Sequence, residues 1–321
     1  MGSLIEGVSL SELCDYSFGD QSGQWGNIFT SFMKDANLLN LEFAEKVFEI
    51  KKSRDYMTLF IDNIRLYKRH IVEVKESDRP YVEGLMEKSD LLKLCSQFPS
   101  MNFIIFTNLE DTPIDEHIFK AMPKNVLCVS AVNAIAHGGR VIPAPYGLQR
   151  RMHKGDNRIE DISSYMKRLP QDPPGLLYVS HSEATNPERV GIKDLFKGKS
   201  WAEVHDKRVT YSVFLYNLSQ SKFMICPVGN AIDCHRNWEV ILMRRVPIMK
   251  RHPYLEVLFK QYPVLFVDDY SEVTEELLIS KSYLFEEMQK VDLSDLEVEN
   301  YYNRIVAEAN GANELLMHLF L

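Results

Sequence analysis

The sequence predicts an α/β protein of two parallel-sheet domains, and three observations carry that prediction. The chain has 321 residues, 45% hydrophobic and 26% charged, which is the size and balance of two ordinary domains with real cores. Short apolar runs of strand length alternate with stretches of helical spacing, first from residue 102 and again from residue 176. Between those regions, residues 168–175 read Arg-Leu-Pro-Gln-Asp-Pro-Pro-Gly, the composition of a linker. The expected division is therefore 1–168 and 169–296, with a C-terminal helix at about 297–321 free to pack back on the first domain.

In the first hundred residues, segment 30–52 carries Phe32, Leu38, Leu39, Phe43, Val47 and Phe48 at helical spacing. Residues 57–61 are a candidate strand, and 83–97 a second amphipathic helix. Residues 103–106 form a buried strand running into Thr107 and Asn108, followed by a helical piece near 115–121. Residues 126–129 are the next strand, ending near Asn133; residues 140–142 follow, closed by Pro143, Pro145 and Gly147. Strand, crossover, strand, with polar residues where the strands end, is the pattern of a parallel sheet.

After the linker the alternation restarts. Strands are expected at 176–179, 202–204, 223–226, 247–249 and 264–267. Helices are expected from Asn186-Pro187, with proline in the first turn, and at 210–219, 234–245, 253–260 and from Ser271. That is a doubly wound unit. The tail 297–320 is helical, with Tyr301, Ile305, Leu315, Leu316 and Leu319 among its apolar positions.

Charge and composition exclude several function classes. A net charge of −8 disfavours general nucleic-acid binding, which needs a basic surface. The five cysteines include no Cys-x-x-Cys pair and read as free thiols of a reducing compartment. The nine histidines include no His-x-x-x-His pair, which argues against structural zinc. No stretch approaches the ~20 apolar residues of a membrane span, and the N-terminus lacks the basic-then-apolar order of a secretory signal. The expectation is a soluble, cytoplasmic protein.

The most informative segment is 221–249, SKFMICPVGNAIDCHRNWEVILMRRVPIM. A buried strand runs into Pro227, Val228, Gly229 and Asn230, where glycine permits close backbone approach to a ligand. A helix follows, with Asp233 as its expected cap. Free amides at a helix start attract a diphosphate. Arg236 lies in the first turn, and its planar fork suits phosphate oxygens. Glu239, three residues on, shares its face and offers a carboxylate to ribose hydroxyls. Together these describe a nucleoside diphosphate pocket. A plainer reading of the same residues is a surface ion pair and a turn glycine.

This segment resembles the C-terminal half of exostosin-like glycosyltransferases, glycosyltransferase family 47 and its relatives. The carrying residues are Ser-Lys-Phe, Pro-x-Gly-Asn, Asp-Cys-His-Arg-x-Trp-Glu and Val-Pro-Ile. More particularly, it is similar to compact soluble members from cyanobacteria and large DNA viruses, for which the compartment would be the host cytoplasm. LLYVSHSEATNPER and VLFVDDYSEVTEELL resemble the first and last strands of the family's donor domain. FIIFTNLEDTPID, NVLCVSAVNA and RVIPAPYGL resemble segments of its first domain. The likeness covers roughly residues 100–280, and the first hundred residues match poorly.

The resemblance implies a GT-B architecture, two Rossmann-like domains facing a central cleft, and a role in glycan biosynthesis. It implies inverting transfer from a nucleotide diphosphate sugar, usually a UDP-sugar, to a glycan hydroxyl. It assigns Arg236 to the diphosphate and Glu239 to the ribose. Arg189 matches an arginine after the first donor-domain strand and is a candidate second phosphate contact, or an exposed helix arginine. Ser180, Ser182 and Thr185 offer hydroxyls in the same loop, or are ordinary loop residues.

Inverting transfer needs a base to take the acceptor's proton. Asp111 is the first candidate, beyond strand 103–106 at the family's Asn-x-x-Asp; a turn aspartate is its plainer reading. Asp20, in a glycine-flanked loop, is the second, and His137 the third. Asn108 and Asn133 end adjacent strands as acceptor-side candidates or simple caps. Asp268 and Asp269 are adjacent, so on extended chain they point to opposite faces and chelate poorly. No metal or other cofactor is expected to be required. Two other functions stay open: a nucleotide-sugar epimerase on the same fold, and a catalytically inactive sugar- or nucleotide-binding module.

Overall fold

A computed structural model describes residues 4–5, 9–18, 36–61, 95–107, 122–135, 138–148 and 158–319. The chain divides into two compact units, unit 1 of residues 1–3, 7–144 and 298–321, and unit 2 of residues 4–6 and 145–297.

Unit 1 holds a parallel sheet of five strands in sequential order: β1 (Tyr16–Phe18), β2 (Tyr56–Ile61), β3 (Asn102–Thr107), β4 (Val126–Ala131) and β5 (Val141–Pro143). Strand β1 has three residues, too few for sequence periodicity to reveal, and is defined by its pairing of Tyr16 with Leu59. Phe103 to Phe106 are wholly buried, as a central strand covered on both faces requires. Helix α1 (Ala36–Lys51) contributes Phe43, Val47 and Ile50 to a core with Met57, Leu59, Phe103 and Ile105. Phe48, expected on that inner face, is instead 64% exposed, because the helix turns it past the apolar stripe. The C-terminal helix Val298–Leu319 belongs to this unit. Its Tyr301 hydroxyl lies 2.7 Å from Ser130 Oγ, and its Tyr302 hydroxyl lies 3.0 Å from Thr58 Oγ1.

Unit 2 opens with helix α2 (Arg158–Met166), then β6 (Gly175–Val179), β7 (Ala202–Val204), α3 (Tyr211–Ser219), β8 (Ser221–Ile225) and α4 (His235–Leu242). Strand β9 (Val246–Lys250), α5 (Pro253–Leu258), β10 (Leu265–Val267), α6 (Glu275–Ser280) and α7 (Tyr283–Met288) complete it. The five strands are parallel, in the order β10-β9-β8-β6-β7. The chain leaves β6 toward β7 and returns to β8 on the other side, so the order reverses between β6 and β8.

The units meet in sequence at Ala144 and Pro145, not at the proline-rich stretch 168–175. Helix α2 packs on α3 and α4, with Ile162 wholly buried and Tyr165 Oη donating to the Ser212 carbonyl at 3.3 Å. The proline-rich stretch is itself tied down: the buried Arg245 donates to the carbonyls of Pro170 at 3.3 Å and Ser219 at 2.7 Å. Local composition marks a break in helical structure there, and packing then keeps both sides in one unit.

Three helix expectations change. Asn186 caps only the short 3-10 turn Pro187–Arg189. Another 3-10 turn, Tyr270–Glu272, stands where a helix was expected from Ser271, and the α-helix starts at Glu275 with Thr274 as cap. Helix α4 stops at Leu242 because Arg244 takes a left-handed conformation, φ 53°.

Candidate functional site

Open parallel sheets bind ligands beyond the carboxyl ends of their strands, where the strand order reverses. In unit 2 that place is flanked by residues 180–190 after β6 and 226–234 after β8. Arg189 joins the two segments. Its Nε donates to the Val228 carbonyl at 2.6 Å, Nη2 to Pro227 at 2.9 Å and Nη1 to Ser182 at 3.2 Å. Asn186 Nδ2 adds a bond to the Gly229 carbonyl at 2.8 Å. Arg189 is buried, so it is no exposed helix arginine, and its guanidinium is engaged by backbone carbonyls. A Cβ at Gly229 would lie 2.9 Å from Cys234 Sγ and 3.0 Å from Arg189 Nη2. Glycine is needed here for the clamp itself.

Asp233 does not cap α4. The cap position is Cys234, which makes no side-chain cap bond. Asp233 is wholly buried and accepts from Trp238 Nε1 at 2.7 Å, the Tyr146 amide at 2.9 Å and Asn237 Nδ2 at 3.0 Å. Burial pushes its carboxyl up to about 6, against the opposing pull of those donors. The neighbouring turn 145–148 holds the helix start a second time, since the Gly147 carbonyl accepts from His235 Nδ1 at 2.9 Å. Gly147 has φ 66°, and a side chain there would collide with the Ile5 backbone carbonyl.

Inside the first turns of α4 lies a charge cluster around a buried carboxylate. Arg236 Nε is 3.3 Å from Glu239 Oε2, and its guanidinium stands 3.6 Å from the centre of the Phe214 ring. Arg158, from α2, reaches the other oxygen of the same carboxylate, with Nη1 3.4 Å from Oε1, and stacks 4.5 Å over the Tyr211 ring. The Glu239 side chain is only 2% exposed. The carboxylate is therefore internal, while its partners Arg158 and Arg236 are 15% and 32% exposed. Two guanidinium groups share one carboxylate, which leaves an excess of positive charge. The atoms Arg158 Nε and Arg236 Nη1 are buried and have no hydrogen-bond partner among the described residues.

That charge is felt nearby. Burial pushes His235 down to about 4, partly opposed by the Gly147 carbonyl, and the charges of Arg158 and Arg236 push the same way as burial. His181, just beyond β6, is also pushed down to about 4, by burial first and then by Arg189, Lys193 and Arg236. Both imidazoles are uncharged at neutral pH.

The remaining candidates are dispersed. Asn230, Ser182 and Thr185 are exposed, and the Ser182 and Thr185 hydroxyls bond within their own turn. Ser180 is buried. A pocket of about 280 Å³ opens beside the clamp, lined by Val190, Ile192, Leu195, Pro227, Val228 and Tyr270 among others. Asp268 accepts from Arg251 Nε at 3.2 Å, and Asp269 accepts from the Ser271 amide at 2.9 Å, so the two carboxylates have separate partners. In unit 1, Asn133 ends β4 wholly buried with φ 52°. Asp20, Asn108, Asp111 and His137 lie outside the described residues.

Arg158, Tyr211, Phe214 and His181 were not singled out from the sequence. His181 lies inside the segment 176–189, but Arg158 carries no local signature, and only packing of α2 on α4 brings it to Glu239.

No protein-family description matches the chain, and no curated protein matches it significantly. Among solved structures, it is similar to the catalytic domain of starch synthase IV from Arabidopsis thaliana bound to ADP and acarbose, at TM-score 0.38 and 11% identity, over 87% of this chain and 78% of that one.

Proposed function

We propose that this chain is a glycosyltransferase of GT-B type that takes its sugar from a nucleotide diphosphate donor, a UDP-sugar, and transfers it with inversion to a glycan hydroxyl. The observation that carries this reading is the arginine-rich cluster at the start of α4, beside the clamped loop where the strand order of unit 2 reverses. Such a place supplies positive charge and fixed donors to a diphosphate. In the transfer, the bond between the anomeric carbon and the diphosphate oxygen breaks and the acceptor oxygen bonds to that carbon. Negative charge grows on the departing diphosphate, where preorganised guanidinium donors stabilise it most. The acceptor's proton passes to a base, for which Asp111 stands first, then Asp20 and His137. The exostosin-like residues of segment 221–249 support the same donor assignment.

Titration calorimetry with UDP tests it. Arg236→Ala should weaken binding by roughly 1.5–3 kcal/mol, the scale of hydrogen bonds to charged groups. Unchanged affinity in a folded variant removes the assignment. With a UDP-sugar and no acceptor, an epimerised product would point to the epimerase instead. Binding with neither transfer nor hydrolysis would point to an inactive module. For the base, Asp111→Asn should cut turnover ~100- to 10,000-fold with donor affinity within about twofold; a loss below about fivefold turns attention to Asp20 and His137.

A further inference from the structure

The resemblance makes Arg189 a candidate second phosphate contact and implies Glu239 for the ribose; the geometry points to other roles for both. Arg189 already donates from all three nitrogens to the carbonyls of Val228, Pro227 and Ser182. Those bonds hold the loop, and taking Arg189 to a ligand would break them. Glu239 is 2% exposed, and each of its oxygens faces a different guanidinium. A carboxylate so placed is poorly available to ribose hydroxyls.

We infer that Arg158 is a second diphosphate-binding residue, held beside Arg236 by the carboxylate they share, and that Glu239 positions this pair. The inference rests on the nucleotide reading above. Its basis is charge and donor count. One carboxylate neutralises one of two partly exposed guanidinium groups, 15% exposed in Arg158 and 32% in Arg236, and the remaining positive charge favours an anion beside it. The Arg158 guanidinium carbon lies 4.5 Å from the Tyr211 ring centre, and that of Arg236 lies 3.6 Å from the Phe214 ring centre. A ring held against a guanidinium face competes little for its donors, which lie in the plane of the group. Arg158 Nε and Arg236 Nη1 are donors without a partner among the described residues, as is the Tyr211 hydroxyl. A diphosphate offers two adjacent anionic groups, and a forked donor on each matches them better than one arginine alone.

The test is calorimetry on the full chain with UDP, UMP and inorganic pyrophosphate. Arg158→Gln should weaken UDP and pyrophosphate each by about tenfold or more, and UMP by less. Arg158→Lys keeps the charge without the fork and should restore part of the loss; it also serves if the glutamine variant fails to fold. The salt dependence of UDP affinity should flatten in Arg158→Gln, which a purely structural loss would not produce. Glu239→Gln should weaken UDP and pyrophosphate equally. The inference is overturned if Arg158→Gln binds both within about twofold of the parent while Arg236→Gln does not. It is also overturned if Glu239→Gln loses UDP and keeps pyrophosphate. A parent chain that binds pyrophosphate through both arginines but gains nothing from the nucleoside overturns the nucleotide reading and leaves the arginine pair standing. One that binds neither overturns both.

Discussion

Arg189 and Gly229 form one device, and substitution separates its structural part from any contact with a ligand. Arg189→Lys removes the fork that holds three carbonyls together and should lower stability by roughly 2–4 kcal/mol, a few hydrogen bonds' worth. A thermal melt of the ligand-free protein checks this. An arginine serving only a phosphate would leave that melting temperature unchanged. Gly229→Ala places a methyl against Cys234 Sγ and Arg189 Nη2, so the clamp must shift. It should cost about 1–3 kcal/mol, as overpacking does, and weaken UDP binding in step. At Asp268 and Asp269 the carboxylates have separate partners, Arg251 and Ser271. Transfer should therefore survive EDTA; loss of activity restored by manganese would show that these aspartates act together after all. At this scale, Arg236 and Glu239 were legible because helical spacing places i and i+3 on one face. That the Glu239 carboxylate is buried was not, since spacing carries no information on what covers it.

Helix α4 is the element on which the site depends, and Asp233 anchors it. Three donors from three places converge on that carboxylate: the Trp238 indole, the Asn237 amide and the Tyr146 backbone. Trp238 is fixed further by stacking on Phe259 at 4.6 Å. Asp233→Ala leaves buried donors without an acceptor and should cost roughly 3–5 kcal/mol. Its nucleotide affinity should fall together with its melting temperature. Arg236→Gln should lose affinity with little change in melting. That contrast, read by calorimetry beside a thermal melt, distinguishes a residue that holds the helix from one that holds the ligand. The Asp-Cys-His-Arg-x-Trp-Glu run was visible in the sequence as a helix start, and the strands of unit 2 were visible as apolar runs. The partner turn 145–148 was also visible, but as part of another domain. Its bonds to Asp233 and His235 are contacts distant along the chain, which local pattern does not encode.

For the whole molecule, the buried ionisable groups of unit 2 predict how stability varies with pH. His235 and His181 are held near 4 in the fold, below the ordinary 6.5. The unfolded chain therefore binds more protons between those values, and stability is lost as pH falls from about 6.5 toward 4. Asp233, raised to about 6, acts in the opposite sense. The fold holds its proton where the unfolded chain has released it, so that contribution falls as pH rises from about 4 to 6. Two histidines outweigh one aspartate, and the melting temperature of unit 2 should drop on acidification across this window. His235→Gln should flatten the dependence, and Asp233→Asn should steepen it. Melting curves at intervals from about pH 4 to 7.5 check both slopes.

The α/β class, all five strands of unit 2 and the location of the charged helix start follow from the sequence alone, because apolar period and turn chemistry are local properties. Tertiary structure alone decided three things. It moved the division between units from the proline-rich stretch 168–175 to Ala144 and Pro145, since α2 buries Ile162 against its neighbours and Arg245 ties Pro170 down. It tied Arg189 to the carbonyls of Val228, Pro227 and Ser182. It brought Arg158 to Glu239 across a long separation in the chain. The reason is the same each time: burial and long-range pairing depend on which surfaces meet, and only the folded chain determines that.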